Sequence, residues 1–236
     1  MGILSISISV GRPQGFINLN FERATFIPDP SQGYPLVYST NAIPGWIPYL
    51  DGVAQDYIAS NGLSLGGAAV SIEGTNNPTG FPPVQGNYFI LLQGAGFGNT
   101  GSAAIGQTGQ IPLTAQSLLF WGRIGDLQIT FGGQALSFSA VGSTPNYTIY
   151  QADISPFAGQ IGELLFSNPN YNTYGIIDNI QFSNTPVPEP SALGLSVLGG
   201  LFLACRRWRE FFRNDSRWKM KRSEPRAGIF PPPTRP

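Results

Sequence analysis

The sequence predicts an all-β body, an antiparallel β-sandwich, followed by a Pro-rich linker and one short C-terminal transmembrane helix. Three observations carry this. Up to about residue 183 the apolar residues recur with period two in short segments, and no stretch before Ala192 sustains a helical period. Between these segments lie turn signals rich in Gly, Pro and Asn. From Ala192 the alternation gives way to a continuous apolar run that ends at Arg206, Arg207 and Arg209. The chain is therefore divided into 1–14, a remnant of an export signal or a first strand; 15–183, the sandwich; 184–191, the linker; 192–209, the apolar helix with its basic cluster; and 210–236, a basic tail predicted to be disordered.

Met1–Val10 has no basic residue before its apolar part, and Ile3, Ile6, Ile8 and Val10 are interleaved with serines, as in a strand. That is short for the apolar core of a signal peptide, and no small-x-small cleavage site follows. An exported protein needs an entry signal, so the true start is expected upstream; an ordinary first strand is the alternative. In the body, strands are predicted at Ala68–Glu73, Tyr88–Gln93, Ser117–Arg123, Leu127–Phe131, Ala135–Val141, Tyr147–Ala152, Ile161–Ser167 and Gly175–Phe182. Leu127, Ile129 and Phe131 alternate with Gln128 and Thr130, and Leu136 and Phe138 with Ser137 and Ser139. Gly132-Gly133 between these two runs predicts a tight hairpin. Many short strands joined by Gly/Pro turns make a sandwich or barrel, and the length suffices for one core.

In the tail, Pro186, Pro188 and Pro190 lack amide donors and fix their backbone angles, so Val187, Pro188, Glu189, Pro190 and Ser191 are predicted as an extended, accessible linker. The uncharged run Ala192–Ala204 is shorter than the roughly 20 residues a bilayer core needs. Arg206, Arg207, Trp208 and Arg209 can snorkel and hold its end at the interface. Positive-inside bias puts that end in the cytoplasm and the body outside. A helix docked on the globular core is the alternative.

Charge follows the same division. Before Ser191 there are three basic residues, Arg12, Arg23 and Arg123, against ten acidic ones, a balance of −7. From Arg206 onward ten basic residues face Glu210, Asp215 and Glu224. An acidic body repels polyphosphate, so no nucleic acid is expected as a partner. The basic tail, behind an apolar helix, reads as a cytoplasmic anchor near anionic lipid.

The order of Val187-Pro188-Glu189-Pro190-Ser191, apolar run and basic stop resembles the PEP-CTERM signal of bacterial surface proteins. The resemblance implies export, transient anchoring in the inner membrane, and processing near the box by an exosortase. Chains of that family usually stop soon after the basic cluster, whereas this one continues to Pro236. The body is similar to galactose-binding-like jelly rolls in three places. Ile17-Asn18-Leu19-Asn20-Phe21-Glu22 matches their opening strand. Ala104–Thr108, Ile111-Pro112 and Ser117-Leu118-Leu119-Phe120 match an internal pair of strands. Ile177-Asp178-Asn179-Ile180-Gln181-Phe182 matches their closing strand. The resemblance makes the sandwich a jelly roll.

Asp178 carries the sharpest physical expectation in the body. On one strand, Ile176, Asp178, Ile180 and Phe182 share a face, and an apolar face points inward. A carboxylate there needs a cation or several donors. In the resembling jelly rolls the closing-strand Asp and the opening-strand Glu help hold a structural calcium. Asp178 and Glu22 are the matching positions, and oxygen ligands suit that ion. The alternative is a carboxylate satisfied by nearby amides or by an arginine.

Other chemistry is sparse. There is no histidine, which removes the commonest general base and the usual zinc ligand. Cys205 is the single cysteine, so no disulfide forms within the chain. Gly94-Ala95-Gly96-Phe97-Gly98 lacks the Lys-Ser/Thr of a phosphate loop. Asp51, Asp56, Glu73, Asp126, Asp153 and Glu163 show no spacing that singles out a glycosidase pair. Aromatic residues supply the remaining candidates: Trp46 and Tyr49 after the opening segment, and Tyr171 and Tyr174 in an Asn-rich turn, where a sugar ring can stack on a loop platform. Core packing is the alternative for Trp46. The leading reading is a non-enzymatic surface protein embedded in exopolysaccharide, with a carbohydrate-binding module and a glycoside hydrolase as rivals.

Overall fold

A computed structural model of the chain describes residues 15–27 and 35–187, apart from 63, 65, 78, 97 and 170–172. The chain divides into two units, Met1–Val187 and Pro188–Pro236. The second unit lies outside the described residues, and with it Pro188–Ser191, the expected apolar helix, its arginines and the basic tail. Among the described residues no helix is long and apolar enough to cross a membrane.

The first unit is a jelly-roll β-sandwich. In chain order its strands are β1 (Leu36–Tyr38), β2 (Ile47–Leu50), β3 (Val53–Ala54), β4 (Tyr57–Ser60), β5 (Ala69–Glu73), β6 (Phe89–Gln93), β7 (Ala103–Gln110), β8 (Ser117–Arg123), β9 (Gln128–Phe131), β10 (Gln134–Ala135), β11 (Phe138–Ser143), β12 (Thr148–Asp153), β13 (Ile161–Asn168) and β14 (Tyr174–Ser183). An eight-stranded sheet runs β1-β4-β5-β6-β14-β8-β12-β11, and a six-stranded sheet runs β10-β9-β13-β7-β2-β3. Every pairing is antiparallel except β4 with β5, which is parallel. From β6 to β9 the chain changes sheet at every strand, which buries one side of each against the other layer.

The alternation read from the sequence sets the core. Ile129 and Phe131 of β9 and Leu164 and Phe166 of β13 point inward and are buried, while Gln128 and Thr130 face out. They meet Phe120 of β8, whose ring packs on Tyr150, Phe138 and Phe166 at centroid distances of 5.2, 5.4 and 5.6 Å. Gly132 and Gly133 form the β9–β10 turn with φ of 55° and 80°, the left-handed pair that a two-residue hairpin requires. The run expected as one strand at Ala135–Val141 is two. β10 lies in the smaller sheet and β11 in the larger, with Leu136 buried at the crossover.

Two expectations are corrected. Residues 17–22 are not a strand: Gly15 makes one isolated bridge to Gln110, and the segment then turns, with Asn18 and Phe21 at φ of 52° and 57°. The turn drives Phe21 fully into the core against Trp46 and leaves Glu22 over another loop. The closing strand also does not keep a single parity. Its register against β8 shifts between Asp178 and Gln181, and Asn179 is at φ 46°. This is a β-bulge, which moves one residue to the other face. Ile177 and Ile180 belong to the core between the sheets, whereas Ile176 packs with Phe89, Leu91, Phe81 and Val84 on the opposite side. Asp178 follows Ile176 and is buried under that covering loop rather than in the inter-sheet core.

Candidate functional site

Residues 81–88 form a lid over the outer face of β6 and β14, and two carboxylates hold it. Asp178 Oδ2 accepts the Gln85 amide at 2.9 Å and Oδ1 accepts its neighbour Asn179 at 2.6 Å. Glu22 Oε1 accepts the amides of Asn87 and Tyr88 at 2.7 and 3.0 Å, and Oε2 accepts the Asn87 side-chain amide at 3.0 Å. Gly86, at φ 71°, has the Glu22 carboxylate where a Cβ would stand, so only glycine allows this approach. The structure thus brings Asp178 and Glu22 to one loop, Glu22 reaching it from a turn.

Burial pushes the Asp178 carboxyl up to about 8; the Gln85 and Asn179 amides oppose the shift, and the Glu22 charge adds to it. A buried carboxyl beside a second one, with no arginine partner among the described residues, supplies the oxygen chemistry that a hard cation takes, while the amide donors already satisfy these oxygens without one. Among the described residues no group of three or more Asp, Glu, His or Cys assembles there, so further oxygens would have to come from backbone carbonyls or water.

A groove of about 510 Å³ opens at the end of the larger sheet, where the β8–β9, β11–β12 and β13–β14 turns converge. Arg123, Asn146, Tyr147, Thr148 and Tyr174 are among its walls. The Arg123 guanidinium stands 4.0 Å from the Phe81 ring centroid, and its Nε donates to the Asn146 carbonyl at 2.7 Å. Tyr174 is 44% exposed and also packs near Phe81, with ring centroids 6.4 Å apart. The wall at Tyr147 is a tight turn in which the Thr144 amide donates to the Tyr147 carbonyl at 2.8 Å. Buried Asn168 donates to the Leu92 and Thr173 carbonyls and accepts from Thr173 Oγ1, fixing the entry to β14. Such a groove offers one exposed and one half-buried tyrosine ring, hydroxyls, an amide and a cation to a polar ligand.

The other aromatic candidates separate. Trp46 is only 3% exposed, packs on Phe21 and Phe166, and donates its indole N–H to the Asn18 carbonyl at 3.1 Å. It is a core residue and cannot stack on a ligand from solvent. Tyr49 is half-buried on the outer face of the smaller sheet, where its hydroxyl donates to Glu163 Oε1 at 3.0 Å. A hollow of about 320 Å³ adjoins this pair, floored by Ala104 and lined by Ser102, Leu165 and Ser167. A Cβ at Gly106 would stand 2.5 Å from Glu163 Oε1 and 3.1 Å from the Tyr49 ring, so the bare backbone lets the two side chains meet. Tyr171 lies outside the described residues. Arg123, Tyr147 and Phe81 were missed at the level of sequence; the available signal was that Arg123 is one of three basic residues before Ser191.

Three further carboxylates serve other groups. Asp51 accepts the Ser102 amide at 2.7 Å, and Asp153 accepts the amide and hydroxyl of Ser155 at 2.9 and 2.7 Å. Glu73 is fully buried; Oε1 meets Ser71 Oγ and the Gly62 amide, and Oε2 has no partner among the described residues. Burial raises its pKa, against those two hydrogen bonds.

At the body's C-terminal edge, Ser117 Oγ donates to the Thr185 carbonyl at 2.7 Å, and Pro186 is exposed beyond it. Comparison with known proteins places a family match at this point. Residues 186–209 match the PEP-CTERM protein-sorting motif. No curated protein matches the chain. Among solved structures, the enzymatically active domain of bacteriophage CBA120 tailspike protein 4 is similar at 15% identity and a TM-score of 0.36, over 59% of this chain and 19% of that one. A family 11 carbohydrate-binding module from Clostridium thermocellum, in complex with a β-1,3-1,4-mixed-linked tetrasaccharide, is similar at 12% identity and a TM-score of 0.34, over 65% of this chain and 96% of that one. The chain thus spans about a fifth of the tailspike domain, and likenesses of this degree have no functional weight. The motif is a different matter: the chain carries a PEP-CTERM protein-sorting signal at residues 186–209 and is sorted to the cell envelope or surface.

Proposed function

We propose that this is an exported surface protein whose sandwich binds polysaccharide without cleaving it, after transient inner-membrane anchoring and exosortase processing. The observation that supports glycan binding is the Tyr174 groove. Exposed Tyr174 and the Tyr147 turn offer apolar faces to pyranose rings, and Thr148 and Asn146 offer partners for ring hydroxyls. Rigid strands carry these turn residues, the arrangement by which sandwiches present binding loops. A non-enzymatic body is favoured because Asp51, Asp153, Glu22 and Asp178 are each engaged with backbone amides, and Glu163 with Tyr49. Exopolysaccharide at the cell surface is the ligand expected from the sorting signal. We also propose a structural calcium held by buried Asp178 and half-buried Glu22, which would neutralise their charge and fix residues 85–88.

A glycan array probed with the purified chain tests the binding claim. Binding that falls at least tenfold in Tyr174→Ala, with an unchanged melting temperature, supports it. Binding that ignores this substitution removes the groove from the reading. Depolymerisation of any bound glycan, lost on replacing one carboxylate, would place the protein among the hydrolases instead.

A further inference from the structure

We propose that the Tyr174 groove selects a carboxylate-bearing sugar, a uronic acid residue within a glycan, through Arg123. This rests on the glycan-binding reading above and narrows it to a substrate class.

Arg123 is unusual in its setting. The chain before Ser191 has a balance of −7, yet Arg123 lies in the wall of this groove, and among the described residues none of its contacts is with a carboxylate. It is not a solvated surface cation either. The side chain is half-buried, its Nε is bound to the Asn146 carbonyl at 2.7 Å, and its guanidinium sits 4.0 Å from the Phe81 ring centroid. Among the described residues these contacts use one of the five guanidinium N–H donors, and no bond to the two terminal nitrogens is made there, so they face a ligand. Because the side chain is held before any ligand arrives, little further ordering is required on binding.

The donor geometry selects among ligands. A guanidinium edge matches a planar carboxylate through two parallel, charge-assisted hydrogen bonds, which a lysine or a hydroxyl cannot reproduce. A neutral sugar would gain only ordinary hydrogen bonds there. Tyr174 flanks the same Phe81, so a pyranose ring on Tyr174 has its substituents within the groove that Arg123 lines.

The test compares an oligogalacturonate with its methyl ester, which keeps the sugar and removes the charge. Binding to the full-length chain in detergent micelles is measured by calorimetry. The acid should bind at least tenfold more tightly than the ester, and Arg123→Gln should abolish that preference. The basic tail also attracts polyanions, so only the part of the preference that Arg123→Gln removes supports the proposal. Arg123→Lys, which keeps the charge but not the fork, should retain less than half of the preference on a logarithmic scale. It decides the matter should the Gln variant not fold. Tyr174→Ala should weaken acid and ester alike. Equal affinity for acid and ester, or a preference that survives Arg123→Gln, overturns the proposal and leaves glycan binding standing. Absence of binding to either ligand, with no neutral glycan bound on the array, overturns glycan binding itself.

Discussion

Asp178→Asn in the absence of calcium separates the two accounts of the buried carboxyl. Burial lifts the Asp178 pKa from 3.8 to about 8, so the native state holds this proton more firmly than the unfolded chain does. The resulting stability is fully present below about pH 4 and is lost as pH rises to about 8. A shift of about 4 units, at about 1.36 kcal/mol each, is on the order of 5 kcal/mol, a large share of a domain stability of about 5–15 kcal/mol. Asparagine resembles the protonated acid. Each has one oxygen to accept an amide and one donor facing the other, because Gln85 and Asn179 both present N–H groups. The variant should therefore match wild type near pH 4 and exceed it by several kcal/mol at pH 8, measured by urea unfolding with chelator present. With millimolar calcium the order should reverse at pH 8, because the ion would hold Asp178 ionised and the neutral amide of the variant would bind it poorly. A wild-type minus variant difference that stays flat from pH 4 to 8 in chelator would refute the burial argument. If calcium and chelator leave wild type unchanged, the metal is dropped and the amide-bonded carboxyl stands alone.

Other outcomes are expected. Mass spectrometry of the mature protein should find a C-terminus near Pro188–Ser191 in a host with the sorting enzyme, and the full chain in one without it; an envelope form retaining Arg226 and Pro236 in the competent host contradicts exosortase processing. Phe120→Ala removes the ring that Tyr150, Phe138 and Phe166 pack on and should cost about 3–5 kcal/mol in chemical unfolding. Glu163→Gln should lower the ionisation midpoint of Tyr49, which burial, then the Glu163 hydrogen bond and charge, hold above the usual tyrosine value of 10.0. Difference absorbance against a Tyr49→Phe control reads it, and an unmoved midpoint would mean that Glu163 is not the partner in solution.

Much of the fold is legible because local chemistry and tertiary pairing agree. The inward Ile129 and Phe131, the outward Gln128 and Thr130, and the Gly132-Gly133 turn all follow from period two and from positive φ. The opening segment misleads because Ile17–Glu22 alternates like a strand but turns at Asn18, in a conformation that asparagine tolerates. The closing strand misleads more subtly. Parity predicts burial of Asp178 correctly and its direction wrongly, since the bulge at Asn179 reverses the faces after it. No periodicity argument sees a single inserted residue. The groove is illegible for another reason. Phe81, Arg123 and Tyr174 are far apart in sequence, and only the β6-β14-β8 order brings their segments together.

That order also joins the two candidate sites. The loop that Asp178 and Glu22 hold by the amides of Gln85, Asn87 and Tyr88 is continuous with Phe81 and Val84, which seal Phe89, Leu91 and Ile176. Phe81 in turn packs on both Arg123 and Tyr174. Releasing the carboxylate grip should therefore loosen the packing behind Arg123 and Tyr174 without touching any residue that a sugar would meet. Glu22→Gln keeps one acceptor and loses the charge, and its amide N–H₂ would face either the Asn87 side chain or the paired backbone amides. Hydrogen exchange should quicken at Gln85–Tyr88, and glycan affinity should fall at fixed chemistry in the groove. Faster exchange with unchanged affinity would show that Phe81 is held by its packing on Phe89 and Leu91 alone, and that the carboxylates serve the stability of the lid and not the site beside it.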